Sequence, residues 1–138
     1  MMERSCGALV YYREQNKEYY LLVQNRNGGH WSFAKGHIEK KETEEETAKR
    51  EIFEETGLEI QNFNPSFRQV TSYNLPNGKQ KYVTYFLTEI DKEKANHVKL
   101  QIEEILDHLF LPYNEACQQL TYDNDRQVLK LAHQALTY

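Results

Sequence analysis

Cysteine is scarce: the 138-residue chain has two, Cys6 and Cys117, far apart in sequence. Neither belongs to a CxxC pair or lies beside paired histidines, which excludes a disulfide framework and a zinc site. Both are expected to be small buried hydrophobes. No run approaches the roughly 18 apolar residues of a membrane span. The opening Met1-Met2-Glu3-Arg4-Ser5 leads into a strand without the apolar centre of a signal peptide. A cytoplasmic protein with no membrane partner is expected. Basic residues do not dominate either. Seventeen Lys and Arg face 21 Asp and Glu, a net charge of −4, with much of the acid between Glu39 and Glu59. That balance argues against stable nucleic-acid binding on a basic surface and for a local cation requirement. Repeats, linkers and low-complexity tracts are missing as well. Apolar residues at 39% and charged residues at 28% suit one domain over residues 1–138 with a single core.

Ser5 to Tyr12 and Glu18 to Gln24 are rich in β-branched and aromatic residues and predict strands. Asn25 to Gly29 predicts a turn and Trp31 to Phe33 a short strand. A helix is predicted from about Glu44 to Thr56, with a Thr43–Glu46 capping box and Gly57 as its stop. Phe67 to Leu75 and Lys79 to Glu89 form a predicted hairpin around Pro76-Asn77-Gly78. Asp91 to Gln101 is expected to be a surface loop and His108 to Leu111 a short strand. Asp123 is placed to cap a last helix with a buried stripe of Val128, Leu129, Ala132, Ala135 and Leu136. The fold class is α+β in mixed order.

The first helix carries the chemistry. With Glu51 at zero degrees, Glu55 lies about 40 degrees to one side and Glu54 about 60 degrees to the other. Ala48, Ile52, Phe53 and Thr56 occupy the adjoining arc and are expected to pack on a sheet. Like charges at this spacing cost about 0.2–0.5 kcal/mol per pair and raise each other's pKa unless a cation compensates. Clustered carboxylate oxygens suit Mg²⁺ or Mn²⁺ better than zinc. The acids continue toward the helix C-terminus, where the dipole disfavours them, so a merely solvated face is the less comfortable account. Arg50 is placed to pair with Glu51. Gly36 offers a loop that can approach a phosphate closely, with Lys35 supplying positive charge beside it.

Gly36 to Leu58, GHIEKKETEEETAKREIFEETGL, resembles the Nudix box G-x5-E-x7-R-E-U-x-E-E-x-G-U, where U is aliphatic. Every specified position matches: Gly36, Glu42, Arg50, Glu51, Ile52, Glu54, Glu55, Gly57 and Leu58. At average residue usage such a match arises by chance on the order of once in 10⁹ starts. The resemblance implies a Nudix α/β/α sandwich with a mixed sheet between helices. It also implies hydrolysis of a phosphoanhydride in a nucleoside polyphosphate by water activated at Mg²⁺, for which Mn²⁺ can substitute. Glu51, Glu54 and Glu55 would be the metal-binding carboxylates. The general base would be a box glutamate or a later loop acid, Glu104, with Glu103 as its alternative.

Flanking segments, among them Ser5-Cys6-Gly7-Ala8, His30 to Glu39 and Lys79 to Phe86, are similar to the asymmetrical diadenosine tetraphosphate hydrolases of that family. The resemblance makes a dinucleoside polyphosphate the expected partner, cut to ATP and AMP. His30, Lys35, Gly36, Lys79 and Lys81 would contact the phosphates. Tyr85 would stack on a base, with Tyr122 as a second wall. Lys79, Lys81 and Tyr85 share one face of a strand by period-two alternation. The sequence departs from the subfamily at Ala34, where proline is usual, and at Lys41, where glycine is common. Alternatives within the family are sanitation of damaged nucleoside triphosphates and removal of pyrophosphate from RNA 5′ ends. A non-catalytic sensor is a third, but it would not be expected to keep every box acid.

Overall fold

Strand β1 (Met2–Glu14) is buried without a break from Ser5 to Tyr11, the pattern of a strand covered on both faces. Alternation sorts its side chains into two cores. Cys6, Ala8 and Val10 pack with Ala48 and Ile52 of helix α1 (Glu44–Thr56). Leu9 and Tyr11 pack with Val128, Leu129 and Ala132 of helix α4 (Asp123–Leu136). A sheet between helices follows directly.

The computed structural model describes residues 2–136. Its remaining elements are β2 (Lys17–Asn25), β3 (Trp31–Ser32), β4 (Lys35–His37), β5 (Gln69–Asn74), β6 (Gln80–Glu89), α2 (Lys92–Ala95), β7 (Ile105–Pro112) and α3 (Tyr113–Gln119). The strands run β3-β2-β1-β6-β5, with β4 also pairing β1 and β7 also pairing β2. Only β1 and β6 pair in parallel among the described residues, so the sheet is mixed.

Local chemistry fixes the parts that frame the site. Glu46 N–H donates to Thr43 Oγ1 at 3.1 Å and Thr43 N–H to Glu46 Oε1 at 2.8 Å, the expected capping box. Gly57 ends α1 at φ 76°, and its N–H donates to the Phe53 carbonyl at 2.8 Å. Lys41 has φ 69°. A glycine is common there because an L side chain in that region costs roughly 1–2 kcal/mol. Gly7 brings β1 against β4: a Cβ there would collide with the Ala34 carbonyl and with Lys35.

Several expectations are corrected. Residues 91–101 contain the short helix α2, and α3 was missed altogether. Phe53 is 50% exposed rather than packed on the sheet, because it lies beyond the arc that Ala48 and Ile52 bury. Ala135 is exposed near the end of α4, and Cys117 is only half-buried. Asp123 is the first residue of α4 rather than the residue ahead of it, and its Oδ1 accepts from Arg126 Nη1 at 2.6 Å.

Candidate active site

Two cavities meet where β4, the β5–β6 hairpin and the start of α4 converge. The first, of about 540 Å³, is lined by Tyr73, Tyr122, Leu75, Pro76 and the residues that open α4. The second, of about 850 Å³, holds Glu51, Glu54, Glu55 and Glu104. His30, Lys35 and Lys81 line both. Two lysines and an imidazole therefore stand between an aromatic chamber and an acidic one. Burial lowers the His30 pKa, and the charges of Lys35 and Lys81 push it the same way. Burial also lowers that of Lys35, whose Nζ donates to Ser32 Oγ at 3.3 Å.

Arg50 organises the acidic chamber. Its Nε donates to Glu42 Oε2 at 2.6 Å and its Nη2 to Glu42 Oε1 at 3.0 Å. Nη2 also reaches the His37 carbonyl at 3.0 Å, while Nη1 donates to Glu51 at 2.8 Å and Glu54 at 3.0 Å. The guanidinium fork thus ties the β4–α1 loop to the carboxylates of α1. Hydrogen bonds from Arg50 and Thr47 hold the Glu42 carboxyl down at about 2. Glu55 is buried, and burial reinforced by Glu51 pushes its pKa up to about 8, against the pull of Lys35. Burial also raises Glu51. Glu104 belongs to a loop bonded to the end of α1: Lys99 N–H donates to the Thr56 carbonyl at 2.8 Å, and Gln101 N–H to that of Glu55 at 3.1 Å. Of the adjacent pair Glu103 and Glu104, only Glu104 lines the chamber.

The NUDIX domain model matches residues 1–132. The chain belongs to the Nudix family. It is 32% identical to the asymmetrical bis(5′-nucleosyl)-tetraphosphatase of Mus musculus, over 99% of this chain and 97% of that one. The same enzyme of Sus scrofa is also 32% identical, with the same coverage. A crystal structure of a C. elegans Ap4A hydrolase binary complex superposes with a TM-score of 0.88 at 23% identity, covering 97% of each chain. The last likeness shows a shared fold.

Within this Nudix site the expected residues divide. Glu51, Glu54, Glu55, Glu104, Arg50, His30, Lys35, Gly36 and Lys81 line the acidic chamber, and Tyr122, 53% exposed, lines the aromatic one. Lys79 lines neither cavity; it precedes β6, and its N–H donates to Asn77 Oδ1 at 3.0 Å in the turn. Tyr85 is a correction. It does share a strand face with Lys81, but four residues carry it about 13 Å further along the strand, into the core beneath α4. There it is fully buried, edge-on to Phe33. Its ring offers no open face to a base. The exposed aromatic that joins Tyr122 at the chamber is Tyr73, 38% exposed, paired across the hairpin with Lys81, whose Nζ lies 6.0 Å from the ring centre. A hairpin centred on Asn77 sets that register, so the signal for Tyr73 was present. Asp125, buried in the first turn of α4, was also missed.

Gly36 has a second use. A Cβ at this position would run into the Glu51 carboxylate, so glycine here makes room for the acid itself.

Nudix hydrolases are divalent-metal dependent. Among the described residues, no group of three or more His, Cys, Asp or Glu closes on one point, and Arg50 Nη1 instead spans Glu51 and Glu54. The donor chemistry nonetheless fits a hard divalent cation. Every candidate ligand is a carboxylate oxygen, and Glu55 is a buried acid without an ion-pair partner among the described residues, its pKa raised by burial and then by Glu51. No described helix is long and apolar enough to cross a membrane.

Proposed function

We propose that the chain, acting over residues 1–138 as one Nudix domain, hydrolyses dinucleoside tetraphosphates such as diadenosine tetraphosphate asymmetrically, giving ATP and AMP. The observation that carries this reading is the row His30, Lys35 and Lys81 shared by the two chambers. It suits a substrate with a base in one chamber and a long polyanion reaching into the other. Full-length similarity to the mouse and pig tetraphosphatases supports the same reading.

In this scheme Tyr73 and Tyr122 flank the base, and stacking on their rings supplies affinity that every base shares. Lys35, Lys81 and His30 bind the phosphate oxygens, while Gly36 lets Glu51 lie against β4. Glu51, Glu54 and Glu55 would hold Mg²⁺, with Mn²⁺ as a substitute. A bound divalent cation supplies charge neutralisation and lowers the pKa of the attacking water. Water attacks one phosphorus and the anhydride P–O bond breaks. The water's proton passes to a carboxylate of the Glu51, Glu55 and Glu104 group, and the leaving phosphate departs as an oxyanion. Arg50 positions Glu42 and Glu51. The two unpaired cysteines suit a reducing, cytoplasmic location.

Purified protein incubated with diadenosine tetraphosphate and Mg²⁺ should yield ATP and AMP in equal amounts, and EDTA should abolish the reaction. Two equivalents of ADP would place the cut elsewhere, and absence of turnover would refute the substrate.

A further inference from the structure

Beside the row of His30, Lys35 and Lys81, the aromatic chamber has an acidic wall formed by the first turn of α4. Asp125 lines the chamber while only 6% exposed. Its one hydrogen bond among the described residues comes from the Tyr85 hydroxyl, which donates to Oδ1 at 3.3 Å. Burial raises its pKa, while the Lys35 charge, the Tyr85 hydroxyl and Arg126 work the other way. The neighbouring Asn124 donates its Nδ2 to the Ser72 carbonyl at 3.0 Å. A carbonyl there demands the amide nitrogen, so Asn124 Oδ1 is the atom left to accept. Asp123, the first residue of the turn, is another carboxylate, with Oδ1 bonded to Arg126. This wall presents acceptors to whatever enters the chamber.

Purines differ in how they meet such a wall. Guanine's Watson–Crick edge places two donors side by side, N1–H and the N2 amino group, which a carboxylate can accept together. Adenine's edge sets the N6 amino donor beside N1, an acceptor. Against a carboxylate that nitrogen meets lone pairs and stays unpaired, which costs affinity in a desolvated site.

We propose that Asp125 reads the base edge and makes guanine the preferred purine of this chamber, so that guanine dinucleotides are better substrates than their adenine counterparts. The inference rests on the chamber being the nucleoside site. Tyr85 is then a positioning residue: buried and unable to stack on a base, it orients the carboxylate that meets one.

Isothermal titration of the whole protein with GMP, IMP and AMP in EDTA tests this without turnover. GMP should bind at least about tenfold more tightly than AMP. IMP, which lacks only the N2 amino group, should lose about tenfold relative to GMP. Asp125→Asn places a donor against guanine's donors and should shrink the GMP to AMP ratio by about tenfold or more. Affinities within about twofold for GMP, IMP and AMP in the unaltered protein would overturn the proposal, whatever the variant's stability. An unchanged ratio in a folded Asp125→Asn protein, or no measurable GMP binding, would overturn it too. Turnover of diguanosine and diadenosine tetraphosphates with Mg²⁺ separates the two readings. Guanine-selective binding without cleavage of either compound sinks the tetraphosphatase reading and leaves Asp125 as the base reader. Cleavage of both without GMP selectivity does the reverse.

Discussion

Glu55 brings a carboxylate into a nearly dry site where the closest ionised neighbours include other acids. Its pKa of about 8, against an ordinary value of 4.5, means that between these two pH values the folded chain holds a proton the unfolded chain has released. Stability of the metal-free protein therefore falls as pH rises from about 4.5 to about 8, by a few kcal/mol at most. In EDTA, the urea midpoint should be lower at pH 8.5 than at pH 5.5. Glu55→Gln, which cannot ionise, should flatten that dependence while lowering turnover by about 10³-fold or more. A variant with wild-type turnover under saturating Mg²⁺ would refute the role assigned to Glu55. Gly36 gives a sharper steric test at the same scale. Its missing side chain is the space taken by the Glu51 carboxylate, so Gly36→Ala must push that carboxylate aside. Misplacement by about 1 Å can cost about 10²-fold in rate, and the variant should show a loss of that size in kcat with its circular dichroism spectrum intact. Both predictions come from packing that spacing alone does not reveal. Helical geometry put Glu51, Glu54 and Glu55 on one face, but it could not say that Glu55 would be the buried one.

At the scale of elements, α1 and its preceding loop act as one unit because Arg50 fastens them. Four acidic side chains and a backbone carbonyl lie within 3.6 Å of its guanidinium. A lysine offers a point charge with no planar fork and cannot hold Glu42 and Glu51 together. Arg50→Lys should lower the melting temperature by about 3–5 °C, as expected of a loss near 1 kcal/mol in a domain this size. Turnover should fall about tenfold or more while KM changes less. Equal melting temperatures and kinetics would mean that the loop holds its place without the fork. The limits of α1 were legible because they are written locally: a threonine and a glutamate make the capping box, and a glycine takes the left-handed turn. The hairpin was legible for the same reason, through Pro76-Asn77-Gly78. Helices α2 and α3 were not, since four- and seven-residue helices owe their existence to tertiary packing rather than to periodicity. Tyr85 and Tyr73 show the same limit at the site. Alternation placed Lys81 and Tyr85 on one face correctly, but exposure along that face depends on where α4 crosses it. The open ring is therefore the cross-strand partner Tyr73, with Tyr85 left beneath the helix and bonded to Asp125.

For the molecule as a whole, the acidic chamber sits between elements from distant parts of the chain: β4 and α1 on one side, the loop carrying Glu104 on another, and Lys81 from β6 across the sheet. Burial of Glu51 and Glu55, reinforced by repulsion from neighbouring carboxylates that include Glu104, acts against that assembly, as their raised pKa values record. A divalent cation bound there attaches to the folded chain and not to the unfolded one, because no other state gathers these carboxylates. At a concentration 100 times its dissociation constant it adds about 2.7 kcal/mol of stability, which should raise the melting temperature by about 5–10 °C. The gain has a pH signature. The cation must displace the proton that Glu55 keeps below about pH 8, so the shift produced by Mg²⁺ should be larger at pH 8 than at pH 6. Glu55→Gln should lose most of the shift and most of its pH dependence, while Na⁺ at matched ionic strength should produce none of it. Differential scanning fluorimetry across these conditions reads the effect without substrate. If Mg²⁺ stabilised the wild type and Glu55→Gln equally, the cation would be binding elsewhere, and the repulsion among these glutamates would need another counter-charge, for which Arg50, 2.8 Å from Glu51, and Lys35 are the candidates.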